Sequence, residues 1–209
     1  MAKLSKNQLE RYPIYLKYFK ELEAEGIGEI SSPRIADKLG FSQEQVRKDL
    51  QAVSNQPGRP KRGRRVSQLI DALETFLGYR KPASAILIGV GHLGGALLNY
   101  PAFDQMGLKI QAGFDSDPAK AGTSIGGRPV YPMNELPKRM KELGAQIAVI
   151  TVPSDQAQKA IDLAVSAGAK GIWNFAPGQF KVPEGVVVET VNLASSLAVL
   201  GHRMNEEAD

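Results

Sequence analysis

Residues 85–100 read AILIGVGHLGGALLNY. The apolar run before the first glycine has the character of a buried strand, and the residues after Gly94 continue as a helix. Between them, Gly89, Gly91 and Gly94 stand at the G-x-G-x-x-G spacing. In this strand-to-helix context each glycine has a physical role. Gly89 permits the tight turn, Gly91 has no side chain to keep a pyrophosphate from the backbone, and Gly94 lets helix and strand approach closely. The helix N-terminus adds N–H donors and the positive end of a dipole.

The second strand completes the pattern. KIQAGFD, residues 109–115, ends in Asp115, 21 residues after Gly94. A carboxylate there can accept hydrogen bonds from both hydroxyls of an adenosine ribose and repels a 2′-phosphate, and no Arg follows it directly. The pair of motifs therefore predicts NAD(H) rather than NADP(H). His92, inside the loop, reads as a solvent-facing spacer. No proton donor sits in a convincing catalytic constellation, so binding without turnover is the simpler expectation and no catalytic residue is assigned.

Beyond this unit, short apolar runs alternate with helical stretches: NELPKRMKEL (134–143), QIAVITV (146–152), DQAQKAIDLAVSAG (155–168), GIWNFAP (171–177) and VVVETV (186–191). Strands separated by helices imply a parallel sheet covered on both faces, a doubly wound α/β fold over residues 81–192. Residues 193–209 form a final helix and tail, with Leu193, Leu197, Leu200 and Met204 along one face.

The first 80 residues have a different texture. Leu9, Tyr12, Leu16, Phe19 and Leu22 recur at helical spacing up to Gly26. A short helix follows with Ser31 or Ser32 as N-cap, Pro33 in its first turn and Gly40 as terminator, and Ser42 then caps a third helix through SQEQVRKDLQAV. Two short helices joined by a Gly-containing turn make a helix-turn-helix. The stretch SNQPGRPKRGRR (54–65) reads as a basic loop or wing, and Val66, Leu69, Ile70, Leu73, Phe76 and Leu77 restore a helix before Gly78 and Pro82. The architecture expected is an N-terminal winged helix-turn-helix domain followed by a Rossmann sheet.

Charge follows the same division. Residues 1–80 hold 15 Lys/Arg against 10 Asp/Glu, net +5, whereas residues 81–209 hold 11 against 12, net −1. The basic excess points to a polyanionic partner for the first part. The second helix of a helix-turn-helix enters the major groove by its N-terminal part, which nominates Ser42, Gln43, Gln45, Arg47 and Lys48. Arg59, Lys61, Arg62, Arg64 and Arg65 can follow the backbone or enter a narrow minor groove. The chain has no cysteine, which excludes disulfides and zinc-finger chemistry, and its apolar stretches are far shorter than a membrane span. A cytoplasmic protein with neither metal nor membrane partner is expected.

SQEQVRKDL, GVGHLGGALLNYPAF, GFDSDPAKAG, ITVPSDQAQKA and GIWNFAP together resemble the Rex family of redox-sensing transcriptional repressors, nearly end to end. The resemblance implies a homodimer that binds A·T-rich inverted-repeat DNA and is released when NADH rises relative to NAD+. It places the pyrophosphate on Gly89, Val90, Gly91, His92, Leu93 and Gly94, with Asp115 at the ribose. Tyr100 and Asn174, Phe175, Ala176 and Pro177 fall near the nicotinamide, with Thr151 and Pro153 in the same crevice. The C-terminal helix is expected to cross into the partner subunit.

Three departures are visible. The family's wing is rich in Phe and Gly with a Gly-Tyr ending, whereas this one is longer and more cationic. The family commonly carries an Arg on the first helix and an Asp entering the last one, where this chain has Lys17 and Asn192. Two other readings share the layout: a small NAD-dependent oxidoreductase with an appended basic domain, and a CoA or nucleotide-binding module.

Overall fold

The computed structural model describes residues 4–54 and 63–206, and the chain divides between Lys81 and Pro82 into two compact units. The first unit runs α1 (Lys6–Ala24), β1 (Glu29–Ile30), α2 (Ser32–Leu39), α3 (Gln43–Val53), β2 (Arg64–Arg65) and α4 (Val66–Phe76). Local chemistry sets the helix ends. Ser5 and Ser42 cap α1 and α3 by accepting hydrogen bonds from the Gln8 and Gln45 N–H groups. Gly40, in the left-handed region at φ +70°, ends α2 and turns the chain into α3.

Tyr12, Phe19, Ile35, Leu50, Leu69 and Leu73 are fully buried at the centre of this unit. The stripe on α1 is wider than its three-and-four spacing suggests, because Tyr15 and Tyr18 are buried as well. Leu9 and Phe76, expected to face inward, are 43% and 40% exposed. Leu9 lies one turn ahead of the point where the buried stripe begins, and Phe76 lies in the last turn of α4, where its ring meets Tyr12 edge-on. β1 and β2 pair antiparallel, Glu29 with Arg65 and Ile30 with Arg64.

The second unit holds β3 (Ala83–Ile88), α5 (His92–Leu98), α6 (Ala102–Gln105), β4 (Leu108–Asp115), β5 (Ser124–Ile125), β6 (Arg128–Pro132), α7 (Leu136–Glu142), β7 (Ile147–Ile150), α8 (Ser154–Ser166), β8 (Gly171–Asn174), β9 (Val187–Thr190) and α9 (Leu193–Glu206). Its sheet order is β5-β6-β4-β3-β7-β8-β9, parallel throughout except at the β5–β6 hairpin. Alternate residues of β3 serve opposite layers. Ile86 and Ile88 pack with Leu136, Met140 and Ile161, whereas Ala85 and Leu87 pack with Leu98, Ile110 and Val149. This is the doubly wound sheet expected from the alternation of strands and helices.

Succession reverses at β3, with β4 on one side and β7 on the other. Open α/β sheets form their ligand crevice beyond the carboxyl ends of the strands at such a point. Here those ends are Ile88 and Ile150. α9 is exposed along its whole length. Among the described residues no helix is long and apolar enough to cross a membrane, and no group of three or more His, Asp or Glu side chains gathers to hold a metal.

Candidate cofactor crevice and nucleic-acid interface

The glycine loop begins where β3 ends. Gly89 has φ +97°, and a Cβ added there would lie 2.6 Å from Val152 Cγ1 and 2.9 Å from the Thr151 carbonyl carbon. Gly94 is tighter still, since its Cβ would fall 2.1 Å from the Gly89 carbonyl oxygen. Around Gly91, by contrast, an added Cβ meets nothing within 4 Å. The first and third glycines are thus required by the fold, whereas the second leaves open the space that a phosphate group needs.

Asp115 is 8% exposed at the end of β4. Its Oδ2 accepts from the Val90 N–H at 2.7 Å and from Lys120 Nζ at 3.1 Å, and its Oδ1 accepts from the Asp117 N–H at 2.9 Å. Burial pushes its proton affinity up, but the Asp117 N–H, Lys120 and the Val90 N–H outweigh that and hold the carboxyl below its ordinary value of 3.8. The Val90 amide is committed to Asp115, whose Oδ2 already accepts two hydrogen bonds and whose Oδ1 accepts one. Lys120, which sequence spacing did not single out, sits against it.

A cavity of about 540 Å³ lies here, lined by the glycine loop, Asp115 and Lys120, Thr151 and Pro153, and Lys159 of α8. Thr151 braces the loop, its hydroxyl lying 2.7 Å from the Gly89 carbonyl and 3.1 Å from that of Ile88. His92 and Leu93 are exposed in the first turn of α5.

Tyr100 and Phe175 belong to one aromatic row. Tyr100 meets Phe103 at 5.0 Å, Phe103 meets Trp173 at 5.4 Å, and Trp173 meets Phe175 at 4.8 Å between centroids. Phe103 and Trp173 were not read from the sequence, although their aromatic character was the available signal. Asn174 is fully buried, with its amide donating to the Ala176 carbonyl at 2.8 Å and its carbonyl accepting the Ala176 N–H at 3.0 Å. It pins the turn, which leaves Phe175 and Pro177 as the accessible part of that stretch.

On α3, Gln43, Arg47 and Lys48 are exposed and Gln45 is partly so, while Val46, Asp49 and Leu50 face inward. The Ser42 hydroxyl is engaged in capping. Lys48 pairs with Glu44 at 2.7 Å, an exposed contact too weak to withhold the cation from a stronger partner. Arg65 is exposed and Arg64 half-buried on β2, and burial lowers the Arg64 guanidinium's proton affinity. Arg59, Lys61 and Arg62 lie outside the described residues. Lys17 is exposed on α1, and Asn192 caps α9 by accepting the Ser195 N–H at 2.9 Å.

Two family models match, "Putative DNA-binding protein N-terminus" over residues 3–51 and "CoA binding domain" over residues 80–178. The redox-sensing transcriptional repressor Rex of Treponema denticola is 44% identical over 94% of this chain and 93% of its own length. That of Bacteroides thetaiotaomicron is 41% identical over 98% and 92%. The chain belongs to the Rex family of redox-sensing transcriptional repressors. Among solved Rex-family structures, RSP in complex with β-NAD+ and operator DNA is 33% identical, covers 100% of this chain and 95% of its own, and has a TM-score of 0.92. RSP in complex with β-NADH is 34% identical with coverages of 100% and 97% and a TM-score of 0.87.

Proposed function

We propose that this Rex-family chain is a homodimeric repressor that binds A·T-rich inverted-repeat DNA and releases it when NADH rises relative to NAD+. The observation that carries the cofactor half is Asp115 held beside the glycine loop at the switch point of the sheet. The residues fit a dinucleotide: Gly91 gives a pyrophosphate room, and Asp115 Oδ1, with one donor on it, keeps an acceptor position for a ribose hydroxyl. Coenzyme A would instead bring a 3′-phosphate against the carboxylate, which disfavours the CoA-module reading. That RSP was solved with β-NAD+, β-NADH and operator DNA supports the same assignment.

The nicotinamide is cationic when oxidised and neutral when reduced. An apolar crevice built by Tyr100, Phe175 and a partner subunit's C-terminal helix penalises the charged ring by desolvation, so the protein favours NADH. That preference moves the protein only if its DNA-bound and NADH-bound dimers are distinct states with different cofactor affinities. Lys17 and Asn192 stand where the family's Arg and Asp stand. A cation and a neutral amide thus take the places of two residues that could form an ion pair, and an ion pair is the stronger contact.

For DNA, Gln43, Gln45 and Arg47 read base edges from α3, while Lys48, Arg64 and Arg65 grip phosphates with the wing cations Arg59, Lys61 and Arg62. Operator binding measured with each redox form of the cofactor tests the whole proposal, and failure of NADH to weaken it overturns the sensor reading. Oxidation or reduction of the cofactor with a small carbonyl substrate would instead mark an enzyme.

A further inference from the structure

Asp49 is a carboxylate 2% exposed on α3, the helix whose outer face carries Gln43, Arg47 and Lys48. A charge buried to that degree requires partners, and two side chains of α1 supply them, while a third meets the Asp49 backbone. Arg11 reaches it with two guanidinium nitrogens, Nε to Oδ2 at 2.7 Å and Nη2 to Oδ1 at 2.9 Å. The Tyr15 hydroxyl donates to Oδ2 at 2.9 Å, and the Tyr12 hydroxyl donates to the Asp49 backbone carbonyl at 3.2 Å.

Arg11 and Tyr15 also hold the turn that leads into α3. The Arg11 guanidinium lies 6.0 Å from the centre of the Phe41 ring, and Tyr15 meets that ring edge-on at 5.6 Å. The first helix therefore grips the helix-turn-helix at two places, Phe41 in the turn before α3 and Asp49 on α3 itself, eight residues apart. Val46 and Leu50 anchor the same face of α3 by apolar packing, which resists separation but is weakly directional. A forked guanidinium–carboxylate pair adds the missing direction.

We propose that Arg11, Tyr15 and Asp49 are positioning residues that set the angle at which α3 presents Gln43, Gln45 and Arg47 to base edges. The inference rests on the DNA-binding reading above. Base readout depends on donors placed within hydrogen-bond tolerance, whereas phosphate contacts from long cationic side chains follow small rotations. Loosening the clamp therefore removes sequence discrimination before it removes general affinity for DNA.

The test begins with a duplex selected from a random library by the unaltered full chain. Its affinity is compared with that of a scrambled duplex of the same composition, by fluorescence anisotropy at fixed salt, for the unaltered chain, Tyr15→Phe, Arg11→Lys and Asp49→Asn. Tyr15→Phe removes one hydroxyl and keeps the ring, so it remains measurable if the others do not fold. The expected result is a fall of about tenfold in the ratio of the two affinities for Asp49→Asn, the size of one lost base contact, and a smaller fall for Tyr15→Phe. The scrambled duplex should be bound as tightly as before. Arg11→Lys keeps the charge without the fork and should behave like Asp49→Asn.

An unchanged ratio in Tyr15→Phe and in whichever other variant folds overturns the clamp. A parallel loss on both duplexes that tracks the folded fraction also overturns it, since that marks a stability role alone. Failure of the unaltered chain to select any duplex overturns the DNA-binding reading itself, and the clamp with it.

Discussion

The Oδ2 atom of Asp115 accepts a hydrogen bond from the Val90 N–H at 2.7 Å, which ties the end of β4 to the middle of the glycine loop. One carboxylate thus shapes the loop and faces the cavity beside it. Asp115→Ala leaves a buried N–H without its acceptor as well as removing the proposed ribose ligand. The expected cost is about 2 kcal/mol in stability, with a loss of roughly thirtyfold in NADH affinity. Asp115→Asn retains an acceptor oxygen for Val90 but not the charge, so it should keep most of the stability while discriminating less against NADP(H). Thermal unfolding with paired NADH and NADPH fluorescence titrations separates the two effects, and unchanged discrimination in both variants would remove Asp115 from the ribose site.

The pH response has a definite sign. The folded-state pKa of Asp115 lies below its ordinary value of 3.8, so its contribution is complete above the ordinary carboxylate range and is lost as pH falls through the lower folded value. Its share of NADH binding should therefore be flat from about pH 8 to about pH 5. Lys120→Met removes one cause of the depression, and the acid limb should move to higher pH. A limb that stays in place would show that Lys120 does not reach Asp115 in solution.

Gly94→Ala and Gly91→Ala are expected to fail in different ways. At Gly94 the new methyl would fall 2.1 Å from the Gly89 carbonyl oxygen and 2.8 Å from Thr151 Oγ1, two atoms already in contact with each other at 2.7 Å. Overpacking there should cost about 1–3 kcal/mol. At Gly91 the methyl meets no atom of a non-neighbouring residue within 4 Å, so stability should hold while NADH affinity falls. Equal melting temperatures for the two variants would contradict the division of labour between these glycines.

The apolar face of α9 bears on the proposed dimer. Leu193, Leu197, Leu200 and Met204 are 66%, 69%, 55% and 63% exposed within one chain, a row that water would not favour unless a second surface covered it. Leu197→Glu with Leu200→Glu should convert a dimer to a monomer in analytical ultracentrifugation and weaken operator binding more than binding to a single half-site. A dimer that survives both charges would place the interface elsewhere.

The contrast between the Gly89–Gly94 loop and Lys120 shows how far the sequence could be read. The loop is local: its spacing, the strand before it and the helix after it are all legible within sixteen residues. The caps at Ser42 and Gly40 are local too, and they mark the helix-turn-helix. What the sequence did not disclose depends on distant partners. Lys120 follows Asp115 through an irregular turn that has no period to read. Asp49 looks like one more charge in RKDLQAV until Arg11, 38 residues earlier, is found against it. The β5–β6 hairpin is not legible in the sequence because RPVYP is short and carries prolines at 129 and 132, and its strand character comes from pairing with β4. Asn174 is expected near the nicotinamide from the resemblance, and its amide also pins the turn through Ala176, a use that only backbone geometry reveals.

The most direct measurement is a titration of the full chain onto a fluorescent A·T-rich inverted-repeat duplex at fixed salt, performed without cofactor, with saturating NAD+ and with saturating NADH. The account predicts tight binding without cofactor and with NAD+, and at least about tenfold weaker binding with NADH, within the usual range of coupling between two sites. Equal affinity under NAD+ and NADH, with both cofactors shown to be bound, would contradict it.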